Sequence, residues 1–264
     1  MKIIVPFVLA TALILSGCGG GGGGGGNSSG PPSFVTNLSN ATPNGQVWCV
    51  IGDSFSSDPS KFSAESWPVV LQQQTGITVY DAAVGGYTFA DALNNPIING
   101  KTPVQYCIGQ NPSTVIVMLG INDTAPGSQF APLGTIESNA AAVYSQLKQG
   151  LPNARIVFIQ EQMYDLADYP NPNTMPNKGV VTWYTTENQT GSSAPNAPLS
   201  PWATDVVSNM IALNSYIKGM VPDTITLNYW EVQQQVGVGP DGLHPTTAGF
   251  ALMEQMIYAQ ISKL

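Results

Sequence analysis

The sequence predicts an α/β fold in which helices pack on both faces of a parallel sheet. Short apolar runs of strand length alternate along the chain with longer amphipathic runs, and this β-α-β-α order is typical of a parallel sheet. Residues 114–119 (TVIVML) are apolar or β-branched throughout, as expected for a central strand that is covered on both faces. An apolar content of 43% is ordinary for a globular core.

The chain begins with a predicted export signal (residues 1–17). Lys2 provides a positive charge, and the apolar run 3–15 is too short for a transmembrane helix. Leu15-Ser16-Gly17-Cys18 resembles the bacterial lipobox, which implies cleavage before Cys18 and lipidation of its thiol. The alternative is an ordinary signal peptide with a cysteine there by chance. The resemblance implies an exported, lipid-anchored protein, and the Gly after Cys18 favours the outer membrane if the cell is Gram-negative.

Residues 18–45 are predicted to form a flexible tether, because an unbroken run of glycines at 19–26 offers no side chains to pack. One folded domain is expected from residue 46 to residue 264. Its predicted strands are 47–51, 77–82, 114–119, 154–159 and 224–228. Its predicted helices are 63–74, with Ser63 as N-cap and Gly76 as terminator, 89–93, 133–149, 202–220 and 246–262. Residues 164–201 show no period, and they are either a substrate-covering excursion or a passive insertion.

The charge of the chain argues against nucleic acid as a partner. The formal net charge is −8, and the eight Lys and Arg residues form no basic cluster that could neutralise a run of phosphates. Among the three cysteines, Cys49 and Cys107 remain after Cys18. In an oxidising compartment they are either a disulfide pair or two separately buried thiols. A metal site is not expected, because the only histidine has a better assignment.

Three short motifs follow predicted strands, and a fourth lies in the last loop. Loops at the carboxyl ends of the strands are where open parallel sheets bind ligands. In Gly52-Asp53-Ser54, a tight turn can present the serine hydroxyl as a nucleophile. Gly86, in a second turn, offers an unhindered N–H, and Asn122, in Gly120-Ile121-Asn122-Asp123, offers an amide donor for an oxyanion. His244 is the only histidine and therefore the candidate general base. Asp241, three residues earlier, can orient it.

Each motif alone is commonly a turn, but their order and spacing together resemble the SGNH (GDSL-like) hydrolases. The resemblance covers residues 46–264 and includes Ser66-Trp67-Pro68. It implies a three-layer α/β/α sandwich, flavodoxin-like, with about five parallel strands in the order 2-1-3-4-5. It also implies a Ser54-His244-Asp241 triad and an oxyanion hole formed by Ser54, Gly86 and Asn122. Asp53 and Asp123 are expected to hold their loops in place.

The expected function is hydrolysis of carboxylic esters, such as short-chain or acetyl esters on carbohydrate or lipid, without metal or organic cofactor. Its partners are then an ester substrate and a membrane contacted only through the lipid anchor, and a monomer is the default state. Two alternatives remain open from the sequence. One is an acyltransferase acting on cell-surface glycan, and the other is a binding lipoprotein that has lost catalysis.

Overall fold

The computed structural model describes residues 46–57, 66–124, 131–162, 203–237, 239 and 243–264. The predicted signal, the tether, Cys18, the whole of the 164–201 segment and Asp241 lie outside the described residues. No helix in the described part of the chain is long and apolar enough to cross a membrane.

Five parallel strands form one sheet in the order β2-β1-β3-β4-β5, which confirms the predicted topology. The strands are β1 Val47–Gly52, β2 Thr78–Asp81, β3 Thr114–Met118, β4 Arg155–Gln162 and β5 Asp223–Asn228. Every residue of β3 is buried, as its unbroken apolar sequence predicts for a central strand. Because all strands run the same way, their carboxyl ends meet at a single edge of the sheet, where the motif loops begin.

Helices cover both faces of this sheet, and two hydrophobic clusters form the core between the layers. The helices are α1 Trp67–Thr75, α2 Phe89–Asn94, α3 Pro103–Gln110, α4 Ile121–Thr124, α5 Leu133–Gly150, α6 Ala203–Met220, α7 Tyr229–Val236 and α8 Thr247–Ile261. Alternate residues of β1 and β3 enter opposite clusters, since successive side chains of a strand point to opposite faces. The three-layer α/β/α architecture is confirmed.

Helix α1 begins later than the sequence analysis predicts. Its N-cap is Ser66, in extended backbone, rather than Ser63, and Pro68 occupies the first turn. Proline is favoured there because the first helical N–H groups have no acceptor inside the helix. The predicted terminator is correct: Gly76 ends the helix in the left-handed conformation, with φ +72°.

The structure joins Cys49 of β1 to Cys107 of α3 by a disulfide, with the two Cα atoms 5.6 Å apart. Both residues are fully buried. The bond fastens α3 to the central part of the sheet and closes a loop of 58 residues in sequence. Covalent closure of a loop this long stabilises a fold chiefly by restricting the unfolded chain.

Replacing both cysteines by alanine should lower the free energy of unfolding by about 4 kcal/mol, the loop-closure value for this length. Urea unfolding of the oxidised protein and of the Cys49→Ala/Cys107→Ala variant measures the difference. We expect the motif loops to keep their structure in the variant, because neither cysteine lies in one of them. Equal unfolding midpoints for the two proteins would contradict this prediction.

Candidate active site

Ser54 lies in the turn that follows β1, and the turn is built around the buried side chain of Asp53. The Asp53 carboxylate accepts a hydrogen bond from the Phe55 N–H at 2.9 Å, and its backbone carbonyl accepts from Ser56 and Ser57. Gly52 must be glycine here, since a Cβ atom would lie 2.7 Å from the Ser56 side chain. Ser54 itself is half-buried, between the buried residues Asp53 and Phe55.

Helix α1 supports the same turn from one side. The Trp67 indole N–H donates to Ser56 Oγ at 3.0 Å, and Ser56 Oγ donates to the Met118 sulfur at 3.4 Å. All three residues are buried. The resemblance of Ser66-Trp67-Pro68 to the family motif thus has a physical basis, because its tryptophan holds the loop that carries Ser54.

His244 reaches Ser54 from the far end of the chain. Its Nε2 lies 2.9 Å from Ser54 Oγ, across a sequence separation of 190 residues. Phe55 packs beside the imidazole, with ring centroids 5.6 Å apart. The adjacent Pro245 is buried, and Thr246 caps helix α8 by accepting from the Gly249 N–H. A serine hydroxyl within hydrogen-bond distance of an imidazole nitrogen is the arrangement of an activated nucleophile.

Tyr229 also positions the histidine loop, and the sequence analysis did not single it out. Its hydroxyl donates to the Leu243 carbonyl oxygen at 2.6 Å, and its ring meets Phe55 edge-on at a centroid distance of 4.7 Å. The ring is fully buried. Tyr229 is the first residue of α7, directly after β5. That place at the carboxyl end of a strand is one signal for it in the sequence.

Asn122 connects the turns that carry Ser54 and Gly86. Its side-chain amide donates to Asp53 Oδ2 at 3.3 Å and to the Tyr87 carbonyl oxygen at 3.0 Å. Gly86 has φ +83°, a left-handed conformation that favours glycine. At Gly85, a Cβ atom would lie 3.7 Å from Ser54 Cβ. Asn122 therefore contacts the direct neighbours of Ser54 and of Gly86.

Three carboxyl groups lie buried around these turns. Burial raises the pKa of Asp53 to about 7, and the negative charge of Asp123 adds to the rise. Burial also raises the pKa of Asp123 to about 7, and Asp91 adds to that rise. The pKa of Glu161 is raised well above its usual value by burial and then by Asp53. Each of these carboxyl groups accepts a backbone N–H.

Asp123 joins the second motif loop to the third. Both of its carboxylate oxygens lie 3.2 Å from the N–H of Phe89, the first residue of α2. At the start of the same helix, Thr88 and Asp91 form a reciprocal capping box. These contacts agree with the expectation that Asp53 and Asp123 hold loops in place.

The predicted site residues fall into three groups. Ser54 and His244 are in direct contact, and Asn122 and the Gly85-Gly86 turn lie next to them. The cysteines Cys49 and Cys107 lie apart from this cluster in a disulfide. Asp241 and Cys18 lie outside the described residues, so their roles stay predictions.

Comparison with known proteins gives one family. The model of the GDSL-like lipase/acylhydrolase family matches residues 50–252, a span that includes all four motifs. No curated protein sequence matches the chain.

Solved structures with the same fold are only distantly similar in sequence. An acetylxylan esterase from Geobacillus stearothermophilus is 16% identical with a TM-score of 0.51, covering 82% of this chain and 94% of its own. A lipase/acylhydrolase from Enterococcus faecalis is 14% identical with a TM-score of 0.51, covering 83% and 96%. A protein assigned to the G-D-S-L family from Desulfitobacterium hafniense is 15% identical with a TM-score of 0.52, covering 81% and 98%. Identities this low show the fold and do not by themselves establish the substrate.

Proposed function

Because the chain belongs to the GDSL-like lipase/acylhydrolase family, we propose that it is a serine esterase whose nucleophile is Ser54 and whose general base is His244. The observation that carries the proposal is the 2.9 Å contact between Ser54 Oγ and His244 Nε2. An imidazole at this distance can accept the hydroxyl proton as the oxygen attacks an ester carbonyl. The alcohol then leaves with a proton from the same imidazole.

Hydrolysis proceeds through an acyl-enzyme in this proposal. Ser54 Oγ forms a bond to the carbonyl carbon, and the carbonyl oxygen takes up the negative charge. The tetrahedral intermediate collapses as the bond to the leaving alcohol breaks and His244 protonates that alcohol. Water then attacks the acyl-enzyme and gives up a proton to His244. As the bond between the acyl carbon and Ser54 Oγ breaks, His244 returns that proton to Oγ and the acid is released. Asp241 is the group that we assign to His244 Nδ1, where a carboxylate fixes the tautomer and stabilises the imidazolium.

The negative oxygen is stabilised by donors from three turns: the N–H of Ser54, the N–H of Gly86 and the amide of Asn122. Such donors stabilise the negative charge that develops in the transition state. The Asn122 amide is held by the Tyr87 carbonyl at 3.0 Å and by Asp53 at 3.3 Å. The bond to Asp53 is the longer and weaker of the two. It is this bond that the amide exchanges for a hydrogen bond to the oxyanion.

The substrate class that we propose is a carboxylic ester with a short acyl group, carried on carbohydrate or lipid. Support comes from two proteins of the same fold, one an acetylxylan esterase and the other a lipase/acylhydrolase. Both activities require attack on an ester carbonyl. The contact between Ser54 and His244 suits that step. The length of the acyl chain is the property that separates the two.

Hydrolysis of p-nitrophenyl acetate, butyrate and octanoate tests the proposal. We expect turnover of at least one ester well above that of Ser54→Ala, with the acetate preferred if the acyl pocket is small. A fluorophosphonate probe should also add its mass to the peptide that contains Ser54, and should leave Ser54→Ala unlabelled. A folded protein that hydrolyses no ester faster than Ser54→Ala, and that takes no label, would overturn the proposal.

A further inference from the structure

Glu161 is a buried acidic residue next to the site that belongs to none of the four motifs. It is the penultimate residue of β4 and only 2% exposed. Its Oε2 accepts a hydrogen bond from the Ile121 N–H at 2.9 Å, whereas its Oε1 has no hydrogen-bond partner among the described residues. A buried polar group with a single partner is unusual enough to require an explanation.

The Ile121 N–H, which donates to Glu161, lies at the start of the turn that carries Asn122. Ile121 is the first residue of α4, and the first N–H groups of a helix have no acceptor inside it. The residue before the helix is Gly120, which has no side chain that could accept any N–H of this first turn. Its φ of +140° favours glycine, and a Cβ atom there would lie 3.3 Å from Leu213 Cδ2. Glu161 of β4 therefore provides the acceptor for the Ile121 N–H.

This acceptor is held on a rigid part of the fold. Glu161 pairs with Leu227 in the sheet, and its backbone carbonyl accepts from the Asn214 side chain of α6 at 3.0 Å. Ile121 is bonded directly to Asn122, so a shift of the Ile121 N–H moves the Asn122 backbone with it. Oxyanion donors are effective only when held close to the productive geometry, and a displacement of about 1 Å can cost about a hundredfold in rate.

The charge state of Glu161 also suits a place beside an oxyanion. Burial raises its pKa well above the ordinary value, and the negative charges of Asp53 and Asp123 raise it further, while the Ile121 N–H lowers it. These effects together favour the protonated form of the Glu161 carboxyl group. A neutral carboxyl group still accepts the Ile121 N–H, and it adds no negative charge that would oppose the developing oxyanion. Glutamine has the same shape and is also a neutral acceptor.

We infer that Glu161 is a positioning residue for the oxyanion donor Asn122, acting through its hydrogen bond to the Ile121 N–H. The inference rests on the proposed esterase function. It assigns to β4 a part in catalysis that the four motifs do not contain.

The test compares Glu161→Gln, Glu161→Leu and Glu161→Asp on p-nitrophenyl acetate. Leucine removes the acceptor at similar volume, and we expect kcat to fall about 10- to 100-fold with KM little changed, less than the loss of an oxyanion donor itself. Glutamine should restore kcat to within about threefold of the parent. Aspartate, one methylene shorter, should lower kcat several-fold, and it serves as the second variant if Glu161→Leu does not fold.

A double-mutant cycle with Asn122→Ala separates positioning from general destabilisation. If Glu161 acts through Asn122, Glu161→Leu should cost no more than about threefold in the Asn122→Ala background. Glu254→Leu is the matched control, because Glu254 is another fully buried glutamate whose two oxygens lack partners among the described residues. We expect it to keep the parental kcat. The inference would be overturned if Glu161→Leu lowered kcat equally in the parent and in Asn122→Ala. It would also be overturned if Glu161→Leu and Glu161→Asp both kept the parental kcat.

Amide hydrogen exchange gives a readout that does not depend on activity. The Ile121 N–H should be protected in the parent and in Glu161→Gln, and should exchange faster in Glu161→Leu and in Glu161→Asp. The Asn122 side-chain amide resonances should shift in the same two variants. Unchanged exchange at Ile121 would refute the positioning role. Absence of esterase activity in the parent, with exchange behaving as expected, would instead refute the proposed function.

Discussion

Replacement of Ser54 by alanine should lower kcat for ester hydrolysis by about a millionfold, the loss known for removal of a nucleophile in a serine hydrolase. The reason is that Ser54 Oγ is the hydroxyl that lies 2.9 Å from His244 Nε2, which can accept its proton as the oxygen attacks. His244→Ala should cost about as much, because the hydroxyl is a weak nucleophile when nothing accepts its proton. Steady-state kinetics on the preferred p-nitrophenyl ester measure both losses.

The double variant Ser54→Ala/His244→Ala should be no less active than either single variant, since two residues that act as one unit are not additive. Ser113→Ala is the control, because Ser113 is an exposed serine before β3, at the opposite edge of the sheet. It should keep full activity. A Ser54→Ala protein that retains a tenth of the parental kcat would show that the reaction uses a different nucleophile.

Replacement of Asn122 by alanine should lower kcat by about 10²–10³ while KM changes little, because the amide donates to the oxyanion more strongly in the transition state than to the substrate carbonyl. The side chain also bonds to Asp53 and to the Tyr87 carbonyl. Its loss therefore removes support from two loops. Thermal unfolding of the variant, measured beside its kinetics, separates a lost donor from a loosened site.

The isosteric variant Asn122→Asp makes the prediction sharper. A carboxylate cannot donate to an oxyanion, and at this position it would lie beside the buried carboxyl of Asp53. We expect a loss at least as large as in Asn122→Ala, and one that grows as the pH rises and the new carboxyl ionises. Similar activity in Asn122→Asp and in the parent would exclude the amide as an oxyanion donor.

Much of the fold could be predicted from the sequence because its elements carry strong local signals. The run 114–118 is apolar or β-branched throughout and forms the buried centre of the sheet, and the left-handed glycine at 76 ends α1 where predicted. The start of that helix was misplaced by three residues, since Ser63 and Ser66 are equally good N-cap residues by type. Only the backbone conformation selects Ser66.

Helices α3 and α7 were not predicted because each is only eight residues long, too short for an apolar period to stand out. Their capping patterns were nevertheless visible. Thr102 and Gln105 form a capping box in α3, and Asn228 accepts from the Glu231 N–H in α7. If the capping residues are given more weight than the apolar period, both helices are predicted. The buried Tyr229, which begins α7, is then found as well.

By itself, the sequence determined the five strands, five of the helices, the four motif loops and the residue types suited to ester chemistry, because these depend on neighbours along the chain. Only the tertiary structure decided which distant groups meet. It brought His244 within 2.9 Å of Ser54 and placed Glu161 against the Ile121 N–H. A hydrogen bond between residues 190 or 40 positions apart depends on the packing of whole strands and helices, and no local pattern encodes it.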